Sequence, residues 1–97
     1  MEEIKRGYYD NGQVEYESYW VNEKQHRDDG PAYIQYSRDG NIKLAVYYKD
    51  GKRHRENGPA VIWYHDYSKN KIEMYFINGE EITFLHFQEK NLWRGIE

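Results

Sequence analysis

The sequence predicts an all-β protein: a twisted antiparallel β-meander closed by a short C-terminal capping helix. Three observations predict this fold. The chain carries a 28-residue internal repeat, its turns are marked by Asn-Gly and Asp-Gly pairs, and polar and apolar residues alternate between those turns. With 97 residues, the chain is expected to form a single repeat domain over 1–97.

The repeat is found by laying residues 8–35 over residues 36–63 without a gap, which gives ten identities in 28 positions. The register continues into a shorter third unit over 64–81, and residues 82–97 are expected to form a C-terminal cap. A repeat of this length indicates one supersecondary unit that packs against copies of itself. The identical pairs are Tyr8/Tyr36, Gly12/Gly40, Tyr19/Tyr47, Lys24/Lys52, His26/His54, Arg27/Arg55, Gly30/Gly58, Pro31/Pro59, Ala32/Ala60 and Ile34/Ile62.

Six Asn-Gly or Asp-Gly pairs divide the chain into short segments, and such pairs favour the positive φ of tight hairpin turns. The segments between them predict long strands near 14–21, 42–49 and 71–77 and short strands near 31–36 and 59–64. We therefore expect six or seven strands, two in each unit. The pairs are Asn11-Gly12, Asp29-Gly30, Asp39-Gly40, Asp50-Gly51, Asn57-Gly58 and Asn78-Gly79.

Alternation within the strands predicts two faces for the sheet. The apolar face is expected to consist of Val14, Tyr16, Ser18, Trp20, Ile42, Leu44, Val46, Tyr48, Asn70, Ile72, Met74 and Phe76 from the long strands, with Ala32, Ile34, Tyr36, Ala60, Ile62 and Tyr64 from the short strands. The opposite face is expected to carry Tyr19, Tyr47 and Tyr75 at 28-residue intervals, together with Tyr33, Val61, Trp63 and Ile77. A second aromatic face predicts a bound ligand or another packed layer, because a single-layer sheet buries only one face. The alternative is that tyrosine favours strands and simply lines up at equivalent positions.

The C-terminal stretch over 83–93 lacks turn residues and predicts a short helix that closes the end of the sheet. Thr83 is expected to be its N-cap. The side chains expected to share one helical face are Phe84, Phe87, Leu92 and Trp93.

The composition excludes several functional classes. The absence of cysteine excludes disulfides and thiolate nucleophiles, and it fits a reducing compartment. A net charge of -3 provides no basic field for nucleic acid or anionic lipid, and no apolar run is long enough to span a membrane. Aromatic residues make up 18% of the chain, which argues against disorder. We therefore expect a soluble, cytoplasmic protein that does not bind nucleic acid.

The segment from Tyr47 to Ala60, with its parallel from Trp20 to Ala32, resembles MORN-repeat variants whose units read aromatic-x-x-Asn-Gly-Lys-x-His-Arg-x-Asp-Gly-Pro-Ala. These variants are akin to YwqK-type repeats and occur in bacterial, phage and large-virus proteins. The resemblance covers roughly residues 8–81 and implies a twisted β-meander with a binding or scaffolding role, in host cytoplasm if the source is a phage or virus. The sequence departs from the pattern at Glu23, at Tyr67-Ser68, and at Ile82-Thr83, which replace the His-Arg pair.

The two His-Arg pairs, His26-Arg27 and His54-Arg55, suggest an anion site repeated twice, since arginine offers a planar fork of donors to phosphate or carboxylate. The alternative is structural: these side chains hold the following turn through its carbonyls or through Asp28, Asp29 and Glu56. A shared metal is not expected, because equivalent residues two strands apart lie roughly 10 Å from each other. We expect no cofactor.

No phosphate-binding loop, nucleophile elbow or His-Glu-x-x-His motif is found in the sequence, and Glu15 and Glu17 are expected to be solvated. The chain is therefore expected to be a non-enzymatic module that binds a protein partner through its aromatic face. The expected anchors are Tyr19, Tyr47, Trp63 and Tyr75, with Arg27, Arg55, His26 and His54 beside them. Two alternatives stay open: a protein that sequesters a small anionic, nucleotide-like ligand, as a phage or viral inhibitor would, and a self-assembling structural subunit.

Overall fold

The computed structural model describes residues 2–65 and 70–89. Antiparallel β-strands dominate this part of the chain, and one short helix, α1, covers residues 84–89. The described residues contain no helix with the length and apolar character needed to cross a membrane. The strands are β1 Glu2–Tyr8, β2 Val14–Val21, β3 Lys24–Gln25, β4 Tyr33–Tyr36, β5 Ile42–Val46, β6 Tyr48–Lys49, β7 Lys52–Arg53, β8 Val61–Tyr64, β9 Lys71–Ile77 and β10 Glu80–Ile82.

The strands form one main sheet in the order β1-β2-β4-β5-β8-β9-β10, and all its pairings are antiparallel. The short strand β3 pairs with β2, while β6 and β7 form a separate hairpin. The molecule measures 49 × 38 × 19 Å. The predictions of an antiparallel β-fold and a short C-terminal helix are confirmed.

The strand at the N-terminal edge is absent from the sequence predictions. Strand β1 pairs with almost the whole of β2, from Glu2 opposite Val21 to Tyr8 opposite Val14. Its segment, EEIKRGY, is mostly exposed and has no run of alternating apolar residues. Backbone pairing, and not burial, therefore holds this strand in place. The predicted long strand near 42–49 is divided at Tyr47 into β5 and β6.

The pairing register corrects the predicted second face. Directly opposite residues of an antiparallel pair point to the same side of the sheet. Tyr33 lies opposite both Ser18 and Val46, and Val61 lies opposite Val46. Trp63 lies opposite Leu44 and Ile72. Tyr33, Val61 and Trp63 therefore share the face of the predicted apolar stripe, and the prediction that placed them with Tyr19, Tyr47 and Tyr75 is wrong. The prediction that placed Ile34 and Ile62 on the apolar stripe is wrong for the same reason, since both lie opposite Ala45 on the other face.

The physical reason is parity. The 28-residue spacing relates each strand to its equivalent, but it does not determine how a long strand faces the short strand beside it. One residue more or less in the connecting loop moves every side chain of the short strand to the other face. The core that results is thin: Val46, Ala60, Val61 and Phe76 are buried together, with Tyr33, Leu44, Tyr47, Tyr48 and Met74 packed against them.

Helix α1 begins where the sequence predicts. The backbone N–H of His86 donates to Thr83 Oγ1 at 3.1 Å, and the N–H of Phe87 donates to the Thr83 carbonyl at 3.0 Å. Thr83 is thus the N-cap. Phe87 is buried, whereas Phe84 is 54% exposed. The other two residues predicted on this helical face, Leu92 and Trp93, lie outside the described residues.

Replacing Thr83 with alanine should lower the free energy of unfolding by about 1 kcal/mol, because the backbone N–H of His86 loses the hydroxyl that accepts its hydrogen bond. Urea unfolding followed by circular dichroism measures this loss. Thr83→Ser is the matched control, since it keeps the hydroxyl and should retain most of the stability. Equal losses in the two variants would contradict a capping role.

Candidate functional site

The three tyrosines at 28-residue intervals are covered by side chains of the same chain. The guanidinium carbon of Arg27 lies 4.0 Å from the ring centroid of Tyr19, and that of Arg55 lies 4.0 Å from the ring centroid of Tyr47. No arginine of the described residues lies above Tyr75. Its ring contacts two aromatic side chains of α1, with centroid distances of 5.3 Å to Phe84 and 4.5 Å to Phe87.

Each arginine above a tyrosine also holds the loop that follows it. Arg27 Nη1 donates to the Pro31 carbonyl at 3.2 Å, and its Nε donates to Asp29 at 3.1 Å. Arg55 makes the same pair of bonds 28 residues later, to the Pro59 carbonyl at 3.1 Å and to Asn57 at 3.2 Å. These are the contacts that the structural alternative for the His-Arg pairs predicts.

Arg55 packs against Gly58, a glycine whose φ is not positive although it belongs to an Asn-Gly pair. Gly12, Gly40, Gly51 and Gly79 have positive φ, as their Asn-Gly and Asp-Gly pairs predict. Gly30 and Gly58 do not, so the prediction of a positive φ there is wrong. A Cβ at Gly58 would lie 2.7 Å from the Arg55 guanidinium carbon. A larger residue at this position would therefore shift the Arg55 guanidinium from its present place.

The two histidines join successive hairpins. Nδ1 of His26 accepts a hydrogen bond from the backbone N–H of Asp50 at 3.0 Å, and Nδ1 of His54 accepts one from Asn78 at 2.9 Å. Because Nδ1 is the acceptor, the proton of the neutral ring lies on Nε2. Nε2 of His26 lies 2.8 Å from an Asp28 carboxylate oxygen. These contacts link the turns along the chain, and ligand binding by the histidines stays a prediction.

Four of the eight predicted site residues line one cleft. Arg27, Tyr47, His54 and Arg55 surround a space of about 660 Å³. Asp28, Asp29 and Glu56 line the same cleft and offset its positive charge. A second cleft of about 670 Å³ is lined by Tyr19 and His26, again with Arg27. Trp63 and Tyr75 line neither cleft.

The surface around Trp63 differs from the tyrosine row because two of its large apolar side chains are about half exposed, beside the buried Val46 and Val61. Trp63 is 46% exposed and Ile72, directly opposite it on β9, is 56% exposed. Two hollows of about 320 and 380 Å³ adjoin this tryptophan. We call the surface the Trp63 face, and it consists of Tyr33, Leu44, Val46, Val61, Trp63, Ile72 and Met74.

A polar cluster that the sequence did not predict lies on the other side of the sheet. Glu17 accepts hydrogen bonds from the Tyr36 hydroxyl at 2.6 Å and from Arg6 Nε at 2.7 Å. The bond from Tyr36 is the main cause that lowers the pKa of Glu17, while burial and this carboxylate raise the pKa of Tyr36 to about 12. The expectation that Glu17 is simply solvated is wrong. The reason is β1, which places Arg6 opposite Glu17.

Stability should depend on this cluster in acid. The folded-state pKa of Glu17 is lowered, so its contribution is present above the unfolded pKa and is lost as the pH falls through the folded pKa. In alkali, the contribution of Tyr36 is full below the unfolded pKa of 10.0 and is lost as the pH rises through about 12. Urea unfolding across this range should show both losses in the wild type and weaker ones in Tyr36→Phe. Identical pH profiles would contradict the assignment.

Comparison of the chain with protein-family models, with curated proteins and with solved structures finds no match. The MORN-variant resemblance therefore rests on the residues of the two His-Arg segments themselves.

Proposed function

We propose that this protein is a non-enzymatic interaction module that binds a protein partner through the Trp63 face. One observation carries the proposal: two large apolar side chains that lie directly opposite each other on β8 and β9, Trp63 and Ile72, are about half exposed. Exposed apolar patches of this kind mark interaction sites on soluble proteins, and tryptophan is enriched among the residues that dominate interface energies. The cysteine-free composition fits action in the cytoplasm.

We further propose that the scaffold is built from the 28-residue unit of a MORN-type variant. The contacts of Arg27 with Tyr19 and Pro31 have counterparts in Arg55 with Tyr47 and Pro59, at the same spacing in the chain. The hydrogen bonds from the hairpin turns to His26 and His54 also have counterparts 28 residues apart. These recurring contacts support a unit in which the His-Arg pair ties one hairpin to the next.

The tyrosine row, by contrast, is proposed as part of the scaffold. Guanidinium groups or phenyl rings already occupy the faces of Tyr19, Tyr47 and Tyr75. A partner that stacked on these rings would have to displace Arg27 or Arg55 from its hydrogen bonds to a proline carbonyl. Trp63 requires no such displacement, which makes it the stronger candidate for an anchor.

Affinity capture with a matched pair of variants tests the proposal. Trp63→Ser removes the proposed anchor, and Leu85→Ser removes a side chain that is 65% exposed on α1, which packs against the opposite face. Quantitative mass spectrometry should detect a stoichiometric partner with wild type and with Leu85→Ser, and lose it with Trp63→Ser at unchanged melting temperature. Retention of every partner by Trp63→Ser would contradict the proposal.

A small anionic ligand remains the second candidate, because Arg27, Tyr47 and Arg55 converge on one cleft. The three carboxylates in that cleft weaken the case, since they offer no net positive field to an anion. A thermal-shift panel of nucleotides at millimolar concentration tests this candidate. A stabilisation that Arg55→Ala abolishes would favour it over the interaction module, and the absence of any shift would argue against it.

A further inference from the structure

We propose that the partner seated on the Trp63 face is a second copy of this chain, so that two sheets pack face to face as a β-sandwich. This inference rests on the proposed function and names its partner. Shape, exposed area and chemistry of the face each support it.

The shape of the Trp63 face is suited to pairing with itself. The hollow of about 320 Å³ is lined by Tyr33, Leu44 and Val61, and the hollow of about 380 Å³ is lined by Ile72 and His65. Trp63 and Met74 line both, so they stand between the two hollows. A half-exposed ring beside a hollow fits a two-fold axis, because each copy can then insert its ring into the hollow of the other.

The exposed area of the chain is larger than a compact monomer needs. Its accessible surface is 7144 Å². A folded monomer of 11.9 kDa exposes about 5,900 Å², so the excess is roughly 1,200 Å². A standard protein interface removes about 800 Å² from each partner. This excess belongs to the whole chain, and the Trp63 face contributes to it mainly through the half-exposed side chains of Trp63 and Ile72.

The chemistry of the face suits a second sheet better than a charged partner. All seven of its side chains are uncharged, and two cationic side chains border the hollows beside it, Lys43 at one and Arg53 at the other. Arg53, which borders one hollow, lies 5.2 Å from the centroid of Phe76. Apolar faces of two sheets interdigitate at a spacing of about 10 Å.

Analytical ultracentrifugation of the purified full chain, from micromolar to millimolar concentration, tests the inference. The wild type should sediment with twice the monomer mass of 11.9 kDa. Trp63→Ser should raise the dimer dissociation constant about 30-fold, as the loss of an interface hot spot does. Ile72→Lys is an independent second variant on the same face and should have a similar effect, while Leu85→Ser should dimerise like the wild type.

Circular dichroism unfolding identifies any variant that fails to fold, and the remaining variant on the face then decides the result. A wild-type monomer at every concentration would overturn the inference, and so would a dimer that neither Trp63→Ser nor Ile72→Lys weakens. If the monomer nevertheless captures another protein through Trp63, the proposed function holds and only the identity of the partner is wrong. If neither variant weakens the dimer or changes the set of captured proteins, both proposals are wrong.

Discussion

Replacing Tyr75 with alanine is expected to lower the free energy of unfolding by about 3 kcal/mol or more, because truncating a buried aromatic ring leaves a cavity. Tyr75 is 9% exposed, and its ring contacts Phe84 and Phe87 of α1. Burial also raises the pKa of its hydroxyl. Loss of the ring should release α1 from the sheet, since the helix has few other anchors among the described residues.

Thermal and urea unfolding of the purified variant measure this effect, and the melting temperature should fall by roughly 12 °C or more for a domain of this size. Tyr75→Phe is the matched control because it keeps the ring and both aromatic contacts. It should stay within about 1 kcal/mol of the wild type. A Tyr75→Ala variant as stable as the wild type would show that the ring is free to bind, as the sequence-based hypothesis has it.

Replacing Arg55 with alanine is the second large expected effect. The variant loses the bond to the Pro59 carbonyl, the bond to Asn57 and the contact with the Tyr47 ring. We expect a loss of about 2 to 3 kcal/mol of unfolding free energy, since a part-buried carbonyl is left without its donor and a cation-aromatic contact disappears. Arg55→Lys should recover little, because an ammonium cannot reproduce the planar fork.

Arg38 supplies the control for this experiment. It also contacts an aromatic ring, 4.8 Å from the centroid of Tyr9, and pairs with Asp10 at 2.7 Å, but its side chain is 64% exposed. Arg38→Ala should cost no more than about 0.5 kcal/mol in urea unfolding. If Arg55→Ala were equally mild, Arg55 would be available for a ligand and the small-ligand candidate would gain support.

The sequence predicts most of the local structure because that structure depends on neighbouring residues. Asp50-Gly51 and Asn78-Gly79 form turns with positive φ at both residues, as their side chains favour. Thr83 caps α1 for the same local reason. Strand β1 could not be predicted because its charged, exposed segment has no apolar alternation and is held by pairing with β2 and by side-chain contacts such as that of Arg6 with Glu17.

The candidate site depends on long-range register, which explains why only part of it could be predicted. Trp63 is identifiable from the sequence as a candidate anchor, but its side of the sheet follows from its pairing with Leu44 and Ile72. That pairing places the Trp63 side chain on the side of the sheet opposite to Tyr47, whereas the sequence-based prediction puts both on the same face. The role of Glu17 likewise depends on Arg6, which lies 11 residues away, and on Tyr36, which lies 19 residues away.

Site-specific photo-crosslinking at neighbouring positions of β9 tests the central claim most directly. A photoreactive phenylalanine analogue at position 72 replaces Ile72 on the Trp63 face, and the same analogue at position 73 replaces Glu73 on the opposite face of that strand. After irradiation in cells, we predict a strong covalent adduct from position 72 and little from position 73. The mass of the adduct separates a second copy from another protein. Adducts mainly from position 73, or none from position 72, would contradict binding through the Trp63 face.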